Sequence, residues 1–153
     1  MFSSSNKTRG RRKTSILIVE DNIPLASCLE MLLEAHGFET SRTVDGPGGL
    51  QSIKLMDFDV ILCDLLMPGL SGDQLHLATR QLKPHLCDRF IFMSGHPQNQ
   101  QPAQLVSGAD RPILRKPFDL KILMQAIDRV LEAKHQTLVA PANGQPGLRV
   151  AAG

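Results

Sequence analysis

The sequence predicts an α/β fold, in which an open parallel sheet of five strands is covered by helices on both faces. Two observations lead to this prediction. Short strand-like segments alternate strictly with helix-like segments along the chain. The central strand-like segments are continuously apolar, and this pattern is typical of strands that are buried on both faces. Strands and helices that alternate in this way form parallel sheets with helices on either side.

The first half of the chain supplies two strand–helix units. A β-branched run from Ile16 to Val19 predicts the first strand. Pro24 suits the first turn of a helix, and Gly37 suits the position just after its end. Between them, apolar residues recur at helical spacing at Leu25, Cys28, Leu29, Leu32 and Leu33. The segments "FETSRTV" and "GGLQSIKLM" then predict a second strand and a modest helix.

The second half supplies three further units. The apolar segment "DFDVILCDLL" predicts the third strand, and "GDQLHLATRQL" has the periodicity of a helix. The segment "RFIFMSG" predicts the fourth strand, followed by a weak helix in "NQQPAQLVSGA". The short segment "RPILRKP" predicts the fifth strand. The last helix, "DLKILMQAIDRVLEAK", has the clearest apolar face, and Asp119 is its expected N-cap.

Length and charge indicate one domain between two unlike ends. The chain has 153 residues, of which 42% are hydrophobic, so it can bury a core. Residues 1–13 contain five basic and no acidic side chains and are predicted to be a flexible basic arm. Residues 14–133 form the predicted domain, which is mildly acidic. Residues 134–153, rich in Gly, Pro and Ala, are predicted to be a mostly disordered tail. The arm could touch nucleic acid or anionic lipid, but a solvated tail is the favoured interpretation.

Several classes of protein are excluded at this stage. No apolar run is long enough to span a membrane, and the N-terminus lacks the apolar core of a secretory signal. Cys28, Cys63 and Cys87 are odd in number and far apart, so they match no disulfide or zinc framework. A reducing, cytoplasmic location is therefore expected. Cys63 is expected in the core, whereas surface positions are expected for His36, His76, His85 and His135.

Residues that carry chemistry collect at the ends of the predicted strands. The first strand ends in Glu20 and Asp21, the third in Asp64, the fourth in Ser94 and the fifth in Lys116. Open α/β sheets bind ligands at the carboxyl ends of their strands, so these side chains should converge on one edge. Three carboxylates at one place repel each other, and a divalent cation relieves that repulsion.

An acidic site of this kind suits Mg²⁺, because oxygen ligands with positions left for water are what this ion prefers. A lysine and a hydroxyl beside the metal can hold phosphoryl oxygens. The remaining carboxylate can then act as a nucleophile and become an acyl phosphate. Asp64 is the best candidate for this role, because it is central and is followed by a Pro-Gly loop that can approach the site.

Together these motifs resemble the receiver domain of bacterial two-component response regulators, of the CheY-like kind. The separation of 30 residues from Asp64 to Ser94, and of 22 from Ser94 to Lys116, agrees with that family. The resemblance covers about residues 14–133. The matching motifs are Glu20-Asp21, the D-x-x-M-P-x-x-x-G run from Asp64 to Gly72, Ser94-Gly95 and Lys116-Pro117-Phe118.

The resemblance implies a flavodoxin-like doubly wound (βα)5 fold with strand order 2-1-3-4-5. It implies that Asp64 is phosphorylated and that Lys116 pairs with the phosphoryl oxygens. Ser94 would hydrogen-bond to the phosphoryl group, and the Lys116-Pro117 bond would be cis. The implied ligands of Mg²⁺ are Glu20, Asp21, Asp64 and the backbone carbonyl of Leu66.

The implied partners are a histidine kinase or a histidine phosphotransfer protein as donor, and a downstream protein. The downstream protein would bind the face formed by the fourth helix, fifth strand and fifth helix. Phosphorylation and dephosphorylation of the chain itself are implied, but no separate enzymatic activity. Nucleic acid is not expected as a partner, and a homodimer stays open. One position departs from the family, since Ile113 stands where an aromatic residue is frequent. Leu66, which is apolar, occupies a position that flanks the path for water in the family.

Other functions remain as alternatives. A degenerate receiver would bind partners without phosphorylation, but all five site residues are present. A phosphatase of the haloacid-dehalogenase type would need a second Asp at the position of Leu66. A flavin or nucleotide binder would need a Gly-rich loop where "EDNIP" stands. A stand-alone regulator and a receiver module of a hybrid histidine kinase both fit the sequence.

Overall fold

The sheet has the topology that the sequence and the family resemblance predicted. The computed structural model describes residues 10–95 and 111–139. Within them, five parallel strands pair in the order β2-β1-β3-β4-β5. The strands are β1 Ser15–Val19, β2 Glu39–Thr43, β3 Val60–Asp64, β4 Phe90–Ser94 and β5 Ile113–Arg115. The predicted fold class is therefore confirmed.

The helices follow the strands as expected. They are α1 Ile23–Ala35, α2 Gly46–Leu55, α3 Gly72–Leu82 and α4 Leu120–Val139. A 3-10 helix over Pro84–Arg89, which the sequence did not predict, leads from α3 into β4. The weak helix predicted in residues 99–109 lies outside the described residues, so α4 corresponds to the last predicted helix.

Burial explains why the central strands are continuously apolar. Every residue of β1, β3 and β4 is buried, because a core packs against each face of the sheet. On one face the core includes residues of α1 and α4, among them Leu29, Leu33 and Ile127. On the other it includes Ile53 of α2 and Leu75 of α3. The edge strand β2 is only partly buried, in agreement with its mixed composition.

Side-chain caps determine where the helices begin. Asn22 Oδ1 accepts a hydrogen bond of 3.0 Å from the amide of Leu25 at the start of α1. Asp45 Oδ1 accepts one of 2.7 Å from Gly48 at the start of α2. Asp119, the predicted cap, accepts one of 2.9 Å from the amide of Ile122. These carboxylate and amide oxygens satisfy N–H groups that lack a partner within the helix.

The C-terminal helix is longer than the sequence indicated. α4 continues to Val139, so residues 134–139 are helical and do not begin a disordered tail. Thr137 Oγ1 donates to the carbonyl of Ala133, and residues up to Ala140 include no Gly or Pro, so nothing ends the helix at residue 134. The tail prediction for residues 140–153 concerns residues outside the described part of the chain.

His76 is also placed differently from the prediction. It is buried on the inner face of α3 and is not at the surface. Its ring meets Phe90 and Phe92 edge-on, with centroids 4.9 and 5.8 Å away. The periodicity of α3 explains this position, because Leu75 and Thr79 lie on the same helical face and are buried too. The imidazole therefore packs as a core aromatic group.

Candidate functional site

The strand ends meet at one edge of the sheet, as predicted. Glu20 and Asp21 follow β1, Asp64 is the last residue of β3, and Ser94 is the last residue of β4. Lys116 follows β5 directly. Parallel strands bring these residues to the same edge, although they are distant in the sequence.

Three carboxylates form the acidic part of the site. One oxygen from each of Glu20, Asp21 and Asp64 lies within 4.8 Å of the other two. Glu20 and Asp64 are buried, whereas Asp21 is exposed and open to solvent. Several carboxylate oxygens at this separation, one of them solvent-exposed, fit a hard divalent cation that keeps some of its water. The cluster could therefore hold a metal ion.

Lys116 contacts two members of the acidic cluster. Its Nζ atom lies 2.7 Å from Glu20 Oε2 and 3.3 Å from Asp64 Oδ2. Burial by itself lowers the pKa of Lys116, but its hydrogen bond to Glu20 and the charge of Asp64 outweigh burial and raise that pKa. The ammonium group therefore stays charged and partly neutralises the two buried acids.

Glu20 is held from two directions. Its Oε2 atom accepts from Lys116, and its Oε1 atom accepts a hydrogen bond of 3.0 Å from the amide of Asn22. Burial nevertheless raises the pKa of Glu20, and the neighbouring charge of Asp64 acts in the same direction. The sequence did not single out Asn22, yet its amide orients Glu20 while its side chain caps α1.

The carboxylate of Asp64 is fixed at both oxygens. Oδ1 accepts a hydrogen bond of 3.2 Å from the amide of Leu66, and Oδ2 faces Lys116. Leu66 itself is 48% exposed. Cys63 is buried as predicted, and burial raises the pKa of its thiol, so that it stays protonated. Cys63 therefore adds no negative charge beside Asp64.

The loop after Asp64 requires glycine where it passes closest to the site. A Cβ atom on Gly72 would lie 2.4 Å from the carbonyl oxygen of Asp64, well inside van der Waals contact. Gly69 has a φ of 81°, a backbone conformation that other residues rarely adopt. Met67 is buried and anchors the loop in the core. The loop therefore returns to the end of β3 at Gly72, whose amide donates to the carbonyl of Leu65 at 3.1 Å.

Ser94 and Lys116 are held together by the backbone. The amide of Lys116 donates a hydrogen bond of 2.7 Å to the carbonyl of Ser94, and the Lys116–Pro117 peptide bond is cis, as the resemblance implied. The Ser94 side chain is buried at this edge. A cleft of about 380 Å³ lies beside Lys116, between α1 and the start of α4. Its lining is mostly apolar and includes Leu25, Leu29 and Phe118.

Comparison with known proteins agrees with this geometry. Residues 16–128 match the family profile of the response regulator receiver domain. The chain belongs to this family. Receiver domains are the signal-receiving modules of two-component response regulators, so the family predicted from the strand-end motifs is confirmed.

Curated relatives and solved structures are similar to this receiver domain. The sensory transduction protein RegX3 of Mycobacterium tuberculosis is 34% identical over 119 residues, which span 77% of this chain and 51% of that protein. The response regulator ArlR of Staphylococcus saprophyticus is 32% identical over 124 residues, spanning 80% of this chain and 54% of that protein. The chain therefore spans about half the length of these relatives.

The fold comparison gives the same result. The crystal structure of a response regulator receiver domain protein from Clostridium thermocellum superposes with a TM-score of 0.73, at 25% identity, over 81% of this chain and 98% of that one. A CheY-like receiver domain protein from Methanospirillum hungatei superposes with a TM-score of 0.73, at 24% identity, over 82% and 99%. Among the described helices, none is both long and apolar enough to cross a membrane.

Proposed function

We propose that this receiver domain accepts a phosphoryl group on Asp64 from a phosphohistidine of a histidine kinase or histidine phosphotransfer protein. The observation that carries the proposal is the position of Lys116, whose ammonium group reaches both Glu20 and Asp64. One lysine against three carboxylates leaves this edge net negative, so phosphoryl oxygens would bind beside Lys116 once a divalent cation also neutralises the carboxylate cluster.

In the proposed reaction an Asp64 carboxylate oxygen attacks the phosphorus atom. The bond between phosphorus and the histidine nitrogen breaks, and the imidazole leaves with the electron pair and takes up a proton. Asp64 is already oriented by the Leu66 amide, so attack needs no large movement of its side chain. Lys116 and Ser94 then hold the phosphoryl oxygens. The chain itself is modified, so it acts as a signalling module and turns over no separate substrate.

Mg²⁺ fits the donor set of this site. We propose that Glu20, Asp21, Asp64 and the backbone carbonyl of Leu66 hold it. When bound, the ion supplies positive charge that neutralises the phosphoryl oxygens and the acids around them. Asp21, the exposed member, leaves the cluster accessible from solvent.

The surface that we propose a downstream protein recognises is the face that includes β5 and α4. A cleft of about 590 Å³ on this face is lined by apolar and by oppositely charged residues, among them Ile113, Ile122, Arg129 and Glu132. Such a mixed surface suits a protein partner better than nucleic acid. We propose a downstream protein there, with a second copy of the chain as an alternative occupant, and a cytoplasmic setting that suits the free Cys28, Cys63 and Cys87.

The test uses acetyl phosphate as a small phosphoryl donor in the presence of Mg²⁺. The expected result is a mass increase of one phosphoryl group, which is labile to base and absent from Asp64→Asn. Asp57→Asn is the matched control, because Asp57 precedes β3 and therefore lies at the other end of the strand from Asp64. This variant should be labelled as well as the unchanged protein.

Beryllofluoride supplies a second readout, because it forms a stable complex that mimics an aspartyl phosphate. With Mg²⁺ it should shift the NMR signals of Asp64 and Lys116 and of amides in β5 and α4. Labelling that persists in Asp64→Asn would contradict the assignment of Asp64. No labelling and no spectral change would contradict phosphorylation and leave a degenerate receiver that binds partners without it.

A further inference from the structure

A second buried carboxylate lies at the other end of the strand that carries Asp64. Asp59 immediately precedes β3 and is only 5% exposed. Its Oδ2 atom accepts hydrogen bonds of 2.9 Å from the amide of Ser15 and of 3.2 Å from the Ser15 hydroxyl. The amide of Asp59 in turn donates to the Ser15 carbonyl at 2.9 Å. Asp59 is therefore tied by hydrogen bonds to Ser15, the first residue of β1.

Two cations from the opposite ends of the chain meet on this carboxylate. The guanidinium of Arg12, in the arm before β1, lies 3.1 Å from Oδ1 and 3.0 Å from Oδ2 of Asp59. The Nζ atom of Lys134, near the end of α4, contacts Oδ1. Arg12 and Lys134 are 122 positions apart in the sequence and share one anion.

Electrostatics makes this arrangement depend on Asp59. A buried carboxylate without a cation is strongly unfavourable. Here the hydrogen bonds to the Asp59 carboxylate and both cations stabilise its ionised form. Without the negative charge, the two cations would face each other across a short distance and repel. The ionised Asp59 therefore bridges the segment before β1 and the end of α4.

We propose that Asp59 is a clasp that fastens the arm before β1 and the C-terminal turns of α4 to the sheet edge opposite Asp64. The ordered domain then begins at Arg12, two residues earlier than the predicted boundary at residue 14. The clasp is separate from the phosphorylation site, because Asp59 and Asp64 lie at opposite ends of β3.

The first test is hydrogen exchange on the full chain, comparing Asp59→Asn with the unchanged protein. Amides of residues 134–139 should exchange about ten-fold faster or more in the variant, which is the loss expected for one charge-assisted hydrogen bond. Trypsin should also cleave faster after Lys13, which follows Arg12 in the arm. Asp57→Asn, at an exposed acid two positions before Asp59, should change neither readout.

Single-cation variants keep the test decisive if Asp59→Asn folds poorly. Lys134→Met should speed exchange at the end of α4, whereas Lys121→Met, at the exposed start of the same helix, should not. Arg12→Gln should speed cleavage after Lys13, whereas Arg11→Gln should not. Unchanged exchange in Lys134→Met together with unchanged cleavage in Arg12→Gln would overturn the clasp. Labelling of Asp64 by acetyl phosphate should persist in all these variants, so the clasp and the phosphorylation site are tested separately.

Discussion

Lys116 Nζ lies 2.7 Å from Glu20 Oε2, although the two residues are 96 positions apart in the chain. The Glu20 side chain is fully buried, so its charge has little water around it. The same ammonium group is 3.3 Å from Asp64 Oδ2. The charge of this one lysine therefore offsets the cost of burying two carboxylates at the carboxyl ends of the strands.

Removing this lysine should destabilise the protein. We expect Lys116→Met, which keeps the aliphatic stem but not the charge, to lower the free energy of unfolding by about 1–3 kcal/mol, because two acids lose their cation. The figure is below that for a fully buried pair, since 21% of the Lys116 side chain is exposed. Urea denaturation with a chelator present measures the effect. Lys121→Met is the control, and equal losses in the two variants would contradict the role of the Lys116 charge.

Mg²⁺ should stabilise the folded chain, because the proposed site exists only where the acidic cluster is assembled. At ten times its dissociation constant the ion should add about 1.4 kcal/mol to the free energy of unfolding, and a chelator should remove this gain. Thermal melting across a series of Mg²⁺ concentrations checks it. In Asp21→Asn, the rise in melting temperature should require higher Mg²⁺ concentrations than in the unchanged protein. Asp128→Asn, on the exposed face of α4, should show the same Mg²⁺ dependence as the unchanged protein. An unshifted curve for Asp21→Asn would remove Asp21 from the ligand set.

Gly72 should tolerate no side chain. In Gly72→Ala the new Cβ would meet the Asp64 carbonyl oxygen at 2.4 Å, so the loop or the end of β3 must move. We expect a loss of about 1–3 kcal/mol in the free energy of unfolding, together with slower labelling by acetyl phosphate. Gly95→Ala is the matched control beside the same site, because among the described residues its Cβ would meet the Lys116 side chain alone, at 3.9 Å. Similar behaviour of the two variants would show that the close approach at Gly72 is unimportant.

His76 should make stability depend on pH below neutrality. Burial, followed by the nearby charges of Arg111 and Arg80, lowers the pKa of His76 from 6.5 to about 4. Arg111 contacts the His76 ring and can only donate, so a hydrogen bond between the two side chains requires a neutral imidazole whose nitrogen accepts. The unfolded chain binds a proton at His76 below pH 6.5 and the folded chain does not, so stability falls as the pH drops from 6.5 towards 4.

The slope from this one group is at most about 1.4 kcal/mol per pH unit. We expect His76→Gln, which keeps an acceptor for Arg111, to flatten the dependence of the free energy of unfolding on pH between 6.5 and 4. Gln81→Ala, on the exposed side of the same helix, should leave the slope unchanged. An identical slope in His76→Gln would mean that other groups govern stability in this range.

Several parts of the fold could be predicted because local pattern and tertiary position agree. The run from Ile16 to Val19 is apolar throughout, and β1 is buried on both faces. Asp119 could be recognised as a helix cap, since capping needs only residues a few positions away. The end of α4 was placed too early because the Gly- and Pro-rich composition beyond it was extended to residues 134–139, which contain neither.

Other features depend on neighbours that the local sequence does not show. His76 was expected at the surface, since histidine is often exposed, but α3 turns it towards Phe90 and Phe92. Asp59 has no local signal in the sequence, because it resembles an ordinary polar residue before a strand. Its importance becomes apparent when Arg12 and Lys134 are seen to reach it from the two ends of the domain.

By itself, the sequence determined the α/β class, the residues at the strand ends and the family to which they belong. These follow from hydrophobic pattern and motif spacing, which are properties of single segments. The contacts of Lys116 with both Glu20 and Asp64, and of Asp59 with two cations, can be seen only in the tertiary structure. Those contacts join segments far apart in the chain, and the Coulomb energy that makes them matter depends on distance and burial, which exist only once the sheet has formed.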